Sequence, residues 1–115
     1  YEDSAKIFKL CEVKKISGVI SALSIPNIMY ILRKELDADK TREILDSLML
    51  IFSVADLKTD DLKKAADMRF KDYEDAIQSA CATRIKANYI VTRNIKDFSE
   101  SKVTAIKPAE LLDRI

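Results

Sequence analysis

Histidine is absent from these 115 residues, and glycine occurs once. Without histidine the sequence has no imidazole for a Ser-His or Cys-His catalytic pair, or for a histidine-ligated zinc site. A single glycine can form neither a GxGxxG dinucleotide loop nor a Walker phosphate loop. The chemistry that remains is that of carboxylates, which suit Mg²⁺ or Mn²⁺ binding and general acid–base work.

Cysteine and net charge are also scarce. Cys11 and Cys81 have no CxxC spacing and lie among apolar residues, so we expect two buried thiols rather than a disulfide or a metal site. Twenty Lys and Arg against nineteen Asp and Glu give +1, so any contact with nucleic acid must be local. No apolar run has the length of a membrane span and no signal-peptide pattern is present, so we expect a cytoplasmic protein with no membrane partner.

What the sequence does contain is a regular alternation of helical and strand patterns. Apolar residues recur at intervals of three and four, with Gly18 ending the first helix, Ser24 as the N-cap of the second and Pro108 starting the last. Four short strands are expected between these helices, at 19–22, 53–56, 89–92 and 103–106. Strands separated by helices pair in parallel through right-handed crossovers. The sequence therefore predicts one α/β domain, a three-layer α/β/α sandwich with a short parallel sheet and a site beyond the carboxyl ends of its strands.

The densest acidic cluster is the segment Asp72-Tyr73-Glu74-Asp75-Ala76, at the start of a predicted helix. Asp72 and Asp75 are three residues apart and share one helix face. One interpretation is a capping arrangement, with Asp72 as N-cap and Asp75 in the first turn. The other is that the two carboxylates hold a hard divalent cation, whose charge offsets their repulsion. A cap occupies only some of the oxygen lone pairs, so both interpretations can hold together.

A second polar group follows the predicted strand at 89–92. Thr92, Arg93, Asn94 and Asp97 lie just past its carboxyl end, where an open parallel sheet places its site. Asn and Asp are also common turn residues, so this segment is weak evidence when taken alone. The two polar segments together are more specific.

In combination these segments resemble the carboxy-terminal two-thirds of a PIN domain. The resemblance is carried by Asp72-Tyr73-Glu74-Asp75-Ala76-Ile77, Ala80, Ala82, Ile90-Val91-Thr92-Arg93-Asn94 and Asp97-Phe98. Upstream, Ile20-Ser21-Ala22-Leu23-Ser24-Ile25-Pro26-Asn27 resembles the second motif of that family. The resemblance extends over essentially the whole chain.

The resemblance implies a metal-dependent endoribonuclease of the kind found among toxins of toxin–antitoxin pairs. By position, Asp75 corresponds to the third acidic residue, Asp72 to its acidic neighbour, and Asn94 and Asp97 to the fourth motif. These residues would hold Mg²⁺ or Mn²⁺, with the three aspartates as the catalytic carboxylates. The implied substrate contacts are Ser24, Asn27 and Thr92. Arg93, Lys96 and Lys71 lie beside the acidic residues in the sequence, and each is either a contact to the phosphate backbone or a solvated surface charge, with Arg93 taken as the substrate contact. The implied partners are RNA, without DNA-specific contacts, an antitoxin protein and a second copy of the chain.

Two departures from the family pattern stand out. Asn27 replaces a frequent Glu, so an amide oxygen stands where a carboxylate would bind metal more tightly. The first motif, a central strand that ends in Asp, has no counterpart. We therefore expect a strand and turn of about 15 to 20 residues to precede Tyr1 in the intact protein. The chain as given is expected to be a truncated domain with impaired or absent activity.

Two other functions stay open at this point. A degenerate PIN-like domain without metal would be a non-catalytic interaction module, with the apolar helices between Ile28 and Phe52 as its partner surface. A phosphate-receiver domain also alternates strands and helices, but no early acidic pair follows a first strand and no Lys closes the expected site.

Overall fold

The computed structural model describes residues 2–115 and contains six α-helices, one 3₁₀-helix and four short strands. It is an α/β structure, 57% helical, with parallel pairing in both of its sheets. The chain divides into two compact units. We call residues 5–56 the N-terminal unit, and residues 57–115 together with residues 2–4 the C-terminal unit.

The N-terminal unit contains one parallel strand pair and the helices around it. Its elements are α1 (Glu2–Glu12, whose first residues belong to the other unit), β1 (Val19–Ser21), α2 (Ser24–Arg33), α3 (Ala38–Ile51) and β2 (Ser53–Ala55). Ile20 of β1 is in register with Val54 of β2. Two further backbone hydrogen bonds extend this pairing, from Ser53 N to Gly18 O at 3.0 Å and from Ala22 N to Ala55 O at 2.8 Å.

Aromatic and sulfur side chains pack tightly beside β1. The rings of Phe8 and Phe52 meet edge to face with centroids 5.1 Å apart, a favourable aromatic geometry. Cys11 is buried in the same region. A Cβ atom at Gly18 would lie 2.6 Å from Phe52 Cδ1 and 2.7 Å from Cys11 Sγ. The single glycine is therefore required here by close packing, and its backbone does not adopt a positive φ.

The C-terminal unit is built around one buried helix. Its elements are α4 (Thr59–Ala66), α5 (Tyr73–Arg84), β3 (Ile90–Val91), the 3₁₀-helix (Ile95–Phe98), β4 (Ala105–Ile106) and α6 (Pro108–Asp113). Helix α5 is apolar or small along most of its length and supplies much of this unit's core. Its buried residues are Ala76, Ile77, Ser79, Ala80, Cys81 and Ala82. Strand β3 pairs with β4 in parallel, with Val91 opposite Ile106.

The predicted α/β class and the parallel pairing are confirmed. All four strands occur where they were expected, each one or two residues shorter. Within residues 2–115 the strands form two separate pairs, β1 with β2 and β3 with β4, instead of one sheet. Both cysteines are buried free thiols, as predicted. Among the described residues, no helix combines the length and the apolar composition needed to span a bilayer.

The prediction that Ser24 is the N-cap of α2 is wrong. Ser24 is the first helical residue, and the cap position is Leu23, whose φ and ψ are themselves helical and whose side chain cannot accept a hydrogen bond. The helix ends at Arg33, although apolar residues continue at helical spacing to Leu36. Beyond it, Lys34 N bonds to Ile31 O and Glu35 N to Leu32 O, a tightened last turn that leaves the α-helix.

Candidate functional site

Asp72 begins helix α5 as its N-cap. Its backbone is extended, with φ −112° and ψ 124°, and its Oδ1 accepts a hydrogen bond from the backbone N–H of Asp75 at 3.0 Å. This is the capping geometry that the sequence predicts, and it stabilises the helix start because those N–H groups have no partner within the helix. The same bond holds the Asp72 carboxylate beside the first turn, on the side where Asp75 lies.

Asp75 is half-buried in that first turn, and its surroundings disfavour its charge. Burial raises the pKa of the Asp75 carboxyl above its ordinary value, and the negative charges of Asp72, Asp97 and Glu74 raise it further. Asp97 lies in the 3₁₀-helix and not in α5, and its charge still acts on Asp75. Asp72 and Asp97, two of the predicted acidic residues, thus both act electrostatically on Asp75.

The segment after β3 is held in place by short-range hydrogen bonds. Asn94 N donates to Thr92 Oγ1 at 3.1 Å, and Asp97 N donates to Asn94 O at 3.0 Å, which starts the 3₁₀-helix. At the other end of that helix, Phe98 packs edge to face on Phe70, with ring centroids 6.1 Å apart. Because Phe70 lies just before α5, this contact fixes the Asp97 segment against the start of that helix.

Tyr73, the aromatic residue of the acidic segment, is a packing residue. Its hydroxyl donates to the backbone oxygen of Leu62 in α4 at 2.9 Å, while about half of the side chain, 49%, is exposed. The bond ties the first turn of α5 to α4. It therefore positions the turn that carries Asp75, and the phenol is engaged with protein rather than presented for base stacking.

The donor set fits a divalent cation of the hard type. Carboxylate oxygens are the ligands that Mg²⁺ and Mn²⁺ prefer, and a cation would relieve the repulsion that raises the Asp75 pKa. Within residues 2–115, however, no three acidic or cysteine side chains are close enough to form a complete ligand set. Mg²⁺ usually takes one or two carboxylates and keeps water or phosphate oxygens as its other ligands. The residues thus fit a partly hydrated ion, not one enclosed by protein.

The remaining predicted residues are distributed over both units. Thr92 is half-buried, and Arg93 and Asn94 are exposed, all in the C-terminal unit directly after β3. Ser24, half-buried, and Asn27, exposed, lie in α2 of the N-terminal unit. The acidic group is therefore a feature of the C-terminal unit alone.

The sequence did not indicate a second feature next to this group. A cleft of about 300 Å³ in the C-terminal unit is lined by Asp3, Ser4, Arg93, Lys107, Pro108 and Ala109. Lys107 was not among the predicted site residues. The signal that could have identified it is strand register, because in a parallel pair the residues that follow β3 and β4 leave the sheet at the same end.

Comparison with known proteins gives one result. A family model for the PIN domain matches residues 1–96, which include every predicted site residue except Asp97, one position beyond its end. No curated protein and no solved structure matches the chain. The PIN domain is a nuclease-type family whose members generally use divalent metals. Because the match extends over most of its length, the chain belongs to the PIN-domain family.

Proposed function

We propose that the protein is a metal-dependent endoribonuclease that hydrolyses RNA phosphodiester bonds, with Asp75 at the centre of its metal site. The observation that supports the proposal is the raised pKa of the half-buried Asp75 carboxyl, which follows from its burial and from the negative charges of Asp72 and Asp97. Such a cluster is unfavourable for the protein by itself, and positions of this kind are frequently functional. Membership in a nuclease-type family supports the same conclusion.

In this proposal Asp75 holds Mg²⁺ or Mn²⁺ together with Asp72 or Asp97, and Asn94 offers a neutral oxygen. When bound, the cation supplies an activated water and offsets the charge that develops on the phosphate. The carboxylate of Asp72 is oriented by its bond to Asp75 N, so the fold restricts its geometry before any ion is present. Because the Asp75 carboxylate is half-buried, fewer water molecules can compete with an ion for its oxygens.

The segment after β3 serves the substrate in this proposal. Thr92 and Arg93 follow the strand directly, and the bond from Asn94 N to Thr92 Oγ1 fixes the turn in which they lie. Arg93, exposed and always charged, is suited to a backbone phosphate, a contact that positions RNA without reading its sequence. Ser24 and Asn27 remain proposed substrate contacts from the N-terminal unit.

The experiment is a cleavage assay with the protein at its natural length and a fluorescently labelled single-stranded RNA. With Mn²⁺ we expect cleavage, and with EDTA none. Asp75→Asn should lower the rate about 100-fold or more, because the amide removes one charged ligand. Asp113→Asn, which removes an exposed carboxylate from α6, should cleave like the wild type. Unchanged cleavage by the Asp75 variant would overturn the proposal.

A second candidate, a protein-interaction module, is favoured by a separate observation. In the N-terminal unit, α2 and α3 carry apolar side chains that are largely exposed, with Tyr30 at 65%, Ile31 at 62% and Leu50 at 79%. Where such residues form a contiguous patch, they mark a contact surface for a protein partner. We propose a second copy of the chain or an antitoxin as that partner. Sedimentation of wild type and Leu50→Ser tests the homodimer, since the variant should shift the equilibrium towards monomer.

A further inference from the structure

Charged side chains from three segments of the C-terminal unit line its cleft. Arg93 and Lys107 line it from the loops after β3 and β4, and Asp3 and Ser4 line it from the first turn of α1. Its volume of about 300 Å³ is at the lower end of the range for small-molecule sites. A cavity of this size accommodates a phosphate with its sugar rather than a folded peptide.

The sheet fixes the two cations at one end of the strand pair. Val91 is opposite Ile106, and Thr92 N bonds to Ile106 O at 3.0 Å, so the pairing continues one residue past β3. Lys107 follows β4 immediately, and Arg93 follows Thr92. On the far side, Arg93 Nη2 lies 3.4 Å from Ser4 Oγ, which directs the guanidinium across the cleft.

These two cations are not neutralised by the protein. In the part of the chain that the structure describes, neither Arg93 nor Lys107 forms an ion pair with a carboxylate. Both side chains are exposed, so a ligand can replace the water around them without a rearrangement of the protein. Since the net charge of the chain is only +1, the positive potential at this cleft is a local feature that favours an anion.

Asp3 limits which anion can bind. Its carboxylate repels a doubly charged free phosphate more than it repels a phosphodiester, which carries a single charge. The Asp3 carboxylate and the Ser4 hydroxyl can also accept hydrogen bonds from a ribose hydroxyl, the group that distinguishes RNA from DNA. The charges that line the cleft therefore match one nucleotide unit of an RNA backbone.

We infer that this cleft binds one phosphodiester of single-stranded RNA, with Arg93 and Lys107 on the phosphate and Asp3 and Ser4 towards the ribose. The inference rests on the proposed function in taking RNA as the ligand. Lys107 lies outside the stretch matched by the family model, so family membership does not assign it this role.

Binding can be measured separately from cleavage. In the Asp75→Asn background with EDTA, fluorescence anisotropy with a labelled oligouridylate reports affinity alone. Arg93→Ala and Lys107→Ala should each weaken binding about 3- to 10-fold near physiological salt. Each should also lower the slope of log affinity against log salt by about 0.7, the value for one lost phosphate contact on a single strand. Lys107→Arg should retain affinity.

Two matched controls remove a positive charge elsewhere in the C-terminal unit. Lys102, which precedes β4, and Arg69, which follows α4, are exposed and do not line the cleft. Their alanine variants should bind like the parent protein. If Lys107→Ala is no weaker than Lys102→Ala, the inference is wrong. Strong competition by inorganic phosphate would also overturn it, because the cleft would then be a free-phosphate site.

The result separates this inference from the proposed function. Weaker binding by the two cleft variants supports the RNA cleft even if the protein with Asp75 intact never cleaves RNA. Conversely, the wild type could cleave RNA with metal while the cleft variants bind RNA normally. That result would support the nuclease proposal and refute RNA binding in the cleft. Circular dichroism spectra that match the parent would confirm that the surface variants are folded.

Discussion

At the scale of single residues, the half-buried Asp75 and the buried Asp61 have opposite electrostatic surroundings. Asp61 is paired. It is 1% exposed and is held by Arg84 Nε at 3.0 Å, Arg84 Nη2 at 3.1 Å and the Lys58 backbone N–H at 3.1 Å. Asp75 instead has carboxylates as its charged neighbours and an elevated pKa. The first is a structural ion pair, and the second is a carboxylate without a positive partner among the charges that shift its pKa, the kind of position that is frequently functional.

Asp75→Asn should increase stability in metal-free buffer while it removes activity. Because the folded-state pKa is raised, ionised Asp75 destabilises the fold at neutral pH, and this cost disappears as the pH falls below about 3.9. The gain should be at or below about 1 kcal/mol, since solvent screens a half-buried charge. Urea unfolding with EDTA at neutral and acidic pH measures it. A variant less stable than wild type at neutral pH would contradict the role given to Asp75.

Asp61→Asn should have the opposite effect. Burial alone would raise the Asp61 pKa, but the hydrogen bonds from Arg84 and Lys58 and the nearby positive charges outweigh it and lower the pKa. The ion pair therefore contributes stability above about pH 4, which is lost as the pH falls through the lowered pKa. We expect a loss of about 2 to 3 kcal/mol at neutral pH.

The matched control for this variant is Asp60→Asn. Asp60 pairs with Lys64 at 3.0 Å, but its side chain is 62% exposed, so its removal should change stability by less than about 0.5 kcal/mol. Equal losses from the two neighbouring variants would show that the Asp61 pair has no special weight. Urea unfolding at pH values near 7 and 3 gives both comparisons.

The sequence predicted Asp72 as a cap because capping is local, with donor and acceptor three residues apart. It did not predict the Asp61 pair, whose partner lies 23 residues away on α5. Lys107 was missed for the same reason. Local chemistry is readable from the residues themselves, whereas these contacts depend on which elements pack together.

At the scale of elements, periodicity located the helices and strands well and their ends less well. The strands are shorter than the predicted segments because only two or three residues of each meet a partner. Helix α2 stops at Arg33 although apolar spacing continues to Leu36, since its final turn tightens. Ends are decided by competition among hydrogen bonds, which apolar spacing does not report.

Gly18 was predicted to end a helix, but its importance comes from packing beside β1. Gly18→Ala should cost about 1 to 3 kcal/mol, because the new methyl group would overlap Phe52 and Cys11 in an already packed region. Thermal unfolding followed by circular dichroism measures the loss. Ser17→Ala, at an exposed neighbouring position, is the control and should unfold like wild type. A wild-type melting temperature for the glycine variant would mean that the region yields easily.

At the scale of the whole molecule, the alternation of helices and strands was sufficient to predict the α/β class and parallel pairing. It was not sufficient to predict which strands pair. β1 pairs with β2 and β3 with β4, so each strand pairs with its neighbour in sequence, which is the commoner arrangement but is not specified by periodicity alone. The resemblance to PIN domains came from motif residues in both units, and the family match includes both.

The site could be predicted only as a set of residues. Asp72 and Asp75 share a helix turn, as their spacing predicts. The charge of Asp97 also acts on Asp75, but the meeting of all three carboxylates at one metal site stays a prediction. The sequence could not predict how many of these carboxylates are able to bind one metal ion, because ligand geometry depends on side-chain positions. Within residues 2–115 the structure shows no group of three acidic or cysteine side chains that could hold a metal, so an ion bound here would need water or substrate oxygens to complete its shell.

The most direct test is calorimetric titration of Mn²⁺ into wild type, Asp75→Asn and Asp113→Asn at neutral pH. We predict that wild type and Asp113→Asn bind one equivalent with the same affinity, and that Asp75→Asn binds at least about tenfold more weakly. Equal Mn²⁺ binding by all three proteins would contradict a metal site centred on Asp75.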